Sequence, residues 1–167
     1  RKAVFARGDL ASIGRHGVEP GIRVVAADSK DKRLKSYIDD AKANPEKVKV
    51  STTGSLGGDH LAILKLERLT GAKFAIVHFD GAAPAKTALL GGHTDVAFNN
   101  VSDWLGESKS KTAHPIAVMD QQKSDFSPHV PQANGGGSEL YSPSSQRHSA
   151  PHGTPSPIAS YLATPTA

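Results

Sequence analysis

The sequence contains no cysteine. That excludes disulfide staples, Cys-ligated zinc and thiol catalysis together, and it fits any redox compartment. Aromatic residues are scarce at 5%, so a core has to be built from aliphatic side chains. No stretch approaches the roughly 20 apolar residues that a membrane-spanning helix needs. No secretory signal is expected within these residues, since residue 1 is Arg and no apolar segment follows it; a mature exported protein would already have lost one. Charge of one sign is nowhere concentrated. Lys and Arg number 20 against 16 Asp and Glu, a formal net charge of +4. The excess mildly favours anionic partners. No basic run has the length of a nucleic-acid tail, so no nucleic-acid partner is expected.

What is present suffices for one domain with its own core, or one domain and parts of a second, in 167 residues. Three regions differ. Residues 1–28 are mixed and include the apolar run Ile22-Arg23-Val24-Val25-Ala26-Ala27. Residues 29–120 are periodic. From about Lys123 the chain is rich in Ser, Pro and Gly, and seven of the 11 prolines lie there. Such a tail is expected to form neither a long helix nor a central strand and to run over a surface.

The middle region alternates. Leu34, Tyr37, Ile38 and Ala41 share one helix face; Ser29 or Asp31 is positioned to cap that helix and Asn44-Pro45 to stop it. The β-branched run 48–52 predicts a strand. The spacing predicts a buried helix over 59–69, apolar on most sides, with Gly71 as its stop. The pattern repeats with a strand over 74–79, a helix opened by Pro84 and ended by Gly91-Gly92, a strand over 94–98 and a fourth over 115–119. Strands alternating with helices imply βαβ units and a mostly parallel sheet with right-handed crossovers.

In open α/β sheets ligands bind beyond the carboxyl ends of the strands. The loop Ser51-Thr52-Thr53-Gly54-Ser55-Leu56-Gly57-Gly58-Asp59-His60 leads from a strand into a helix. It offers hydroxyl donors, glycines that let backbone amides approach a ligand, and the positive end of a helix dipole. That set suits a carboxylate, phosphate or sulfate. An ordinary tight turn with plain capping explains it equally well. The loop Asp80-Gly81-Ala82-Ala83-Pro84 is a second approach, with close packing as its simpler explanation. Asn99 and Asn100 put paired amides near a strand end, as ordinary turns also do.

Other chemistries fit worse. No Gly-Lys-Ser/Thr follows the glycines, so the loop is not a P-loop, and Gly54, Gly57 and Gly58 have the wrong spacing for a dinucleotide fingerprint. His60, His78 and His93 lack the paired spacing of a zinc site, so no metal is expected. Gly54-Ser55-Leu56-Gly57 is out of register for a hydrolase elbow. An α/β enzyme using the loop for a phosphorylated substrate remains the alternative, with Asp59 or His60 as its titratable group. A DNA-reading regulator would need a helix-turn-helix, and residues 1–28 show none.

Four blocks, Ala41-Lys42-Ala43-Asn44-Pro45-Glu46-Lys47-Val48, Ser51 to Leu61, Val77 to Ala85 and Leu89 to Asn100, agree in order and spacing with one family. Over about residues 20–120 the chain resembles the substrate receptors of tripartite tricarboxylate transporters, the TctC or Bug family. Fainter echoes are His129-Val130-Pro131 and Pro151-His152-Gly153-Thr154-Pro155. The resemblance implies a periplasmic-binding-protein-like fold of the type II, Venus-flytrap class: a mostly parallel sheet flanked by helices in each lobe. It implies a periplasmic, monomeric receptor, not an enzyme, that closes by hinge motion on a small organic acid and passes it to membrane transporter subunits. No cofactor is implied. Residues 1–24 would be a residual first-domain segment and crossover, 25–120 the ligand-binding lobe, and 121–167 the crossover and return to the first domain. The family grips a carboxylate with one loop from each domain, and the loop 51–60 matches the second-domain loop. By that match Ser51, Thr52, Thr53, Gly54, Ser55, Gly57, Gly58, His60, Gly81, Ala82, Ala83 and Asn99 would contact the ligand. The chain departs from the family where Asp80-Gly81-Ala82 replaces Lys-Gly-Gly, which would weaken anion attraction, and over residues 123–150. It is expected to begin near the end of domain one and so to lack the other loop, which would leave binding weak.

Overall fold

A computed structural model describes residues 6–120, 129–133 and 143–163. The Ser/Pro/Gly-rich stretches 121–128 and 134–142, with Asn134 to Gly137, lie outside the described residues. Among those described, no helix is long and apolar enough to cross a membrane. The chain divides into two compact units, Arg1–Glu19 with Ser145–Ala167, and Pro20–Ser144.

In the second unit the alternation of the sequence becomes layers. After strand β1 (Leu10–Ala26) come α1 (Leu34–Ala43), β2 (Lys49–Thr52), α2 (Gly58–Thr70), β3 (Ala75–His78), α3 (Ala82–Leu90) and β4 (Val96–Asn100). A short α4 (Leu105–Lys109) and β5 (Ala113–Met119) follow. The strand order is β3-β2-β4-β1-β5. β2 is parallel to β3 and to β4, whereas β1 is antiparallel to β4 and to β5. The sheet is therefore mixed, with β1 alone reversed among these five. Its reversal follows from position: β1 enters the sheet between β4 and β5 and needs no helical crossover to do so.

The helices cover both faces. On one, Ile63 and Leu66 of α2 pack with Val25, Val50, Val96 and Phe98. Leu34, Tyr37 and Ile38 of α1 add to that cluster, as their helical spacing predicts. On the other, Leu89 of α3 and Trp104 pack with Ile22, Val24, Ala97 and Val118.

Two local expectations change. α2 is not buried on most sides: Ala62, Ile63 and Leu66 face the core while Leu61, Leu64 and Leu69 stay exposed. Leucine content overstated the burial; only the stripe toward the sheet finds a partner layer. α1 is preceded by Arg33 with no side-chain cap. Ser29 instead pairs with the Tyr37 hydroxyl, and an Asp31 carboxylate oxygen accepts the Arg33 amide at 3.0 Å. The tail, expected to form no long helix and no central strand, holds one strand and one short helix among its described residues.

That strand, β6 (Pro143–Pro151), pairs with β1. In the first unit the His152 amide donates to the Asp9 carbonyl at 2.9 Å. Helix α5 (Ser156–Ala163) follows, with Pro157 in its first turn. Prolines at the two ends of a strand and in the first turn of a helix are compatible with both elements, so a proline-rich tail can hold a short helix and a strand off the main sheet path.

Candidate functional site

The chain leaves β2 for α2 on one face of the sheet and leaves β3 for α3 on the other. β4, also beside β2, leads to the Trp104 side. Loops from the neighbouring ends of β2 and β4 thus diverge to opposite faces. The region between their carboxyl ends is the crevice position at which open α/β sheets take ligands. The loop 51–60, the start of α3 at Gly81 and the end of β4 at Asn99 all emerge along this one edge, from adjacent parallel strands.

The loop is built to hold a helix end open. Gly54 has φ +143°, and Leu56 is left-handed at φ +62°. Gly57 is the N-cap of α2 and supplies no side-chain acceptor. The amides of Gly58, Asp59 and His60 open the helix and have no intrahelical acceptor by geometry. Thr53 Oγ1 donates to Asp59 Oδ2 at 2.9 Å, and the Leu56 amide donates to His60 Nδ1 at 2.9 Å. These two bonds shape the turn from within. Ser55, Gly57 and Gly58 stand exposed, and His60 is half-buried.

The remaining expected residues differ in access. Ser51 and Thr52 are buried, and Ser51 Oγ has no hydrogen-bond partner. Thr52 Oγ1 bonds His78 Nδ1 at 2.7 Å, and the His78 ring meets His60 edge-on with centroids 4.6 Å apart. Gly81, at φ +109°, precedes α3; Gly81 and Ala82 are half-buried and Ala83 is exposed. Asn99 is buried on the Trp104 side, where its Oδ1 accepts Trp104 Nε1 at 3.2 Å and its Nδ2 is left unpartnered. The Asn100 amide donates to Asp103 Oδ2 at 3.2 Å. Among the described residues no three His, Asp or Glu side chains cluster as metal ligands.

Two further residues matter here: Arg23, which the sequence did not place near the loop, and Asp59, which it named only as a titratable group for the alternative enzyme. Arg23 is 1% exposed, and its guanidinium lies 3.7 Å from the centre of the Phe98 ring. Nη1 donates to the Ile22 carbonyl, while Nε and Nη2 have no partner. Burial pulls its pKa down to about 9, and the nearby Asp59 opposes that shift; the group remains cationic at neutral pH. Asp59 lies above the ordinary carboxylate range because burial penalises its charge, against the Thr53 hydrogen bond and Arg23. The available signal was a single cation in the apolar run 22–27.

A cavity of about 700 Å³ opens elsewhere, between Ile38 of α1, Leu69 of α2 and Ile116 of β5. None of the loop residues lines it. The hydroxyls, open amides and switch point lie at the crevice, so we place the candidate site there.

Comparison with known proteins supplies the family. The sequence model described as "Tripartite tricarboxylate transporter family receptor" (TctC) matches residues 2–167. The chain belongs to the TctC receptor family. A UPF0065 protein from the TAR-I ttuE-ttuC' intergenic region of Agrobacterium vitis is 28% identical over 155 residues, 92% of this chain and 45% of that protein. A TctC solute binding protein from Polaromonas, solved without ligand, is 26% identical with a TM-score of 0.73, covering 96% of this chain and 55% of that one. An R. palustris protein solved with adipate shares the fold at a TM-score of 0.87 and 20% identity, over 97% of this chain and 55% of that one. The chain thus spans about half the length of the proteins it matches. The family description is that of a receptor, in line with the expectation of a binding protein and not an enzyme.

Proposed function

We propose that this chain is the carboxylate-capturing part of an extracytoplasmic solute-binding receptor serving a tripartite tricarboxylate-type transporter. One observation carries the reading: α2 begins at the crevice with open amides and no side-chain cap, behind a loop of hydroxyls and glycines. A free helix N-terminus concentrates N–H donors and roughly half a positive charge, which suits a small anion. Thr53, Ser55, Gly57, Gly58 and His60 stand where they can meet the ligand first. Gly81 to Ala83 and Asn99 contribute from the neighbouring strand ends, and Ser51 and Thr52 support the loop from beneath. Residues 1–24 and 121–167 belong, in this reading, to the crossover and the first domain. The adipate-bound relative supports a carboxylate over a phosphate.

Calorimetry with mono-, di- and tricarboxylates, adipate among them, tests it. Saturable binding of at least one acid, with inorganic phosphate inert, is expected. Tight phosphate binding with no response to any carboxylate would instead favour the α/β enzyme.

A further inference from the structure

Arg23, Phe98, Thr52 and His78 lie abreast across four strands. Arg23 pairs with Phe98, Thr52 pairs with His78, and the pairing of Ser51 with Ala97 sets Thr52 beside Phe98. This row crosses the α2 face of the sheet at the crevice end. Above it, Asp59 occupies the same helical stripe as the core residues Ala62, Ile63 and Leu66 and is half-buried, with its Oδ2 accepting from Thr53 Oγ1. The helix stripe and the sheet register therefore bring an acid and a buried guanidinium to the same end of the α2 face.

An acid in that position calls for an explanation. At the start of an anion-binding helix it repels an incoming carboxylate. Arg23 calls for one as well: a buried cation with two free nitrogens is costly without a counter-charge. We propose that Arg23 and Asp59 form a buried charge couple that sets the anion specificity of the site, Arg23 cancelling the acid so that a carboxylate can settle at α2. The couple rests on the reading of the crevice as a carboxylate site. Arg23 never touches the ligand; it acts through Asp59 and is a positioning residue. The other groups facing Asp59 are Thr53, which donates to it, and Asp103, which opposes its ionisation. His60 follows Asp59 in α2, and His78 touches His60.

The sign of the effect is set by these charges. Without Arg23, Asp59 is an uncompensated anion at alkaline pH and neutral once protonated. Adipate affinity of Arg23→Met should fall roughly tenfold to a hundredfold relative to the parent at about pH 8, the range that one neighbouring charge spans. The deficit should shrink at a second, mildly acidic pH, as Asp59 moves toward its protonated form. Any other group that titrates does so in both proteins, so the ratio is the quantity read. Asp59→Asn added to Arg23→Met should restore affinity at the higher pH, and Arg23→Lys should keep the parental profile. A deficit equal at both pH values and not rescued by Asp59→Asn would overturn the couple and leave Arg23 a packing residue.

A second measurement needs no ligand. NMR titration of the Asp59 carboxyl in the parent and in Arg23→Lys, and in Arg23→Met where it folds, reads the couple directly. An upward shift of about one unit or more in Arg23→Met is expected, with Arg23→Lys close to the parent. An unmoved carboxyl overturns the proposal even where no acid binds, whereas a coupled carboxyl with no acid binding would sink only the carboxylate reading.

Discussion

Thr52 Oγ1 lies 2.7 Å from Nδ1 of His78, across the paired ends of β2 and β3. The hydroxyl has one proton, and the Gly54 carbonyl stands 3.3 Å away to accept it. Both bonds form together only when His78 carries its proton on Nδ1 and donates. The neighbouring His60 has the opposite arrangement, because its Nδ1 accepts the Leu56 amide at 2.9 Å. Two touching imidazoles are thus expected in different neutral tautomers. Long-range ¹⁵N–¹H correlation at alkaline pH reads this directly. The same tautomer in both rings would remove the hydrogen-bond chain that ties the loop to β3.

Ser55 stands exposed at the tip of the candidate loop. Ser55→Ala should leave folding stability within about 0.5 kcal/mol of the parent, as for other surface changes. Adipate affinity should drop by about 1–3 kcal/mol, the cost of losing a hydrogen bond to a charged group. Urea unfolding paired with calorimetry separates the two. Unchanged affinity would take Ser55 out of the site and turn attention to the backbone amides alone.

Gly81 and Gly106 should respond to the same substitution with opposite signs. A Cβ at either meets nothing within 4 Å, so space is not the difference. Gly81 enters α3 at φ +109° and ψ 177°, a region essentially reserved for glycine. Gly81→Ala should cost about 1–3 kcal/mol by backbone strain alone. Gly106 is an exposed residue within α4, where Ala is the better helix former by roughly 0.5–1 kcal/mol. Thermal unfolding of the two variants tests the contrast. A Gly81→Ala protein as stable as the parent would show that the turn before α3 relaxes.

Much of this architecture was legible in the residues. β2, α2, β3, α3 and β4 follow from period and punctuation: Gly71 ends α2 in a left-handed conformation, and Pro84 sits in the first turn of α3. The position of the loop 51–60 between β2 and α2 was legible too, from the glycines that separate the strand run from the helix run. The direction of β1 was not, since antiparallel entry between β4 and β5 depends on contacts from distant parts of the chain and leaves no local trace. Arg23 was hidden for a related reason. A lone cation in an apolar run ordinarily marks a solvent-facing position, and only the sheet register puts it over Phe98 and beneath α2. Asp59 read as a loop residue until its stripe with Ala62 and Leu66 turned it inward.

Lys86 and Glu107 join α3 to α4 through a 2.9 Å ion pair, each side chain about one-quarter exposed. Lys86 Nζ also lies 5.4 Å from the centre of the Trp104 ring, so the pair borders the apolar cluster on the α3 face. The Lys86 hydrogen bond holds the Glu107 carboxyl below its ordinary value of 4.5. A carboxyl depressed by folding adds stability that is present above the unfolded value and lost as the pH falls through the folded one. Glu107→Gln should therefore be less stable than the parent at neutral pH by about 0.5–1 kcal/mol, the range for a well-formed but partly exposed pair. The difference should persist down to the ordinary glutamate range, narrow below it and vanish once the parental carboxyl is protonated. Salt should shrink it at neutral pH, because the pair is open to solvent. Urea titrations of parent and variant across the acid limb give the curve. A gap that stays constant with pH would assign the loss to packing of the Glu107 side chain and not to its charge.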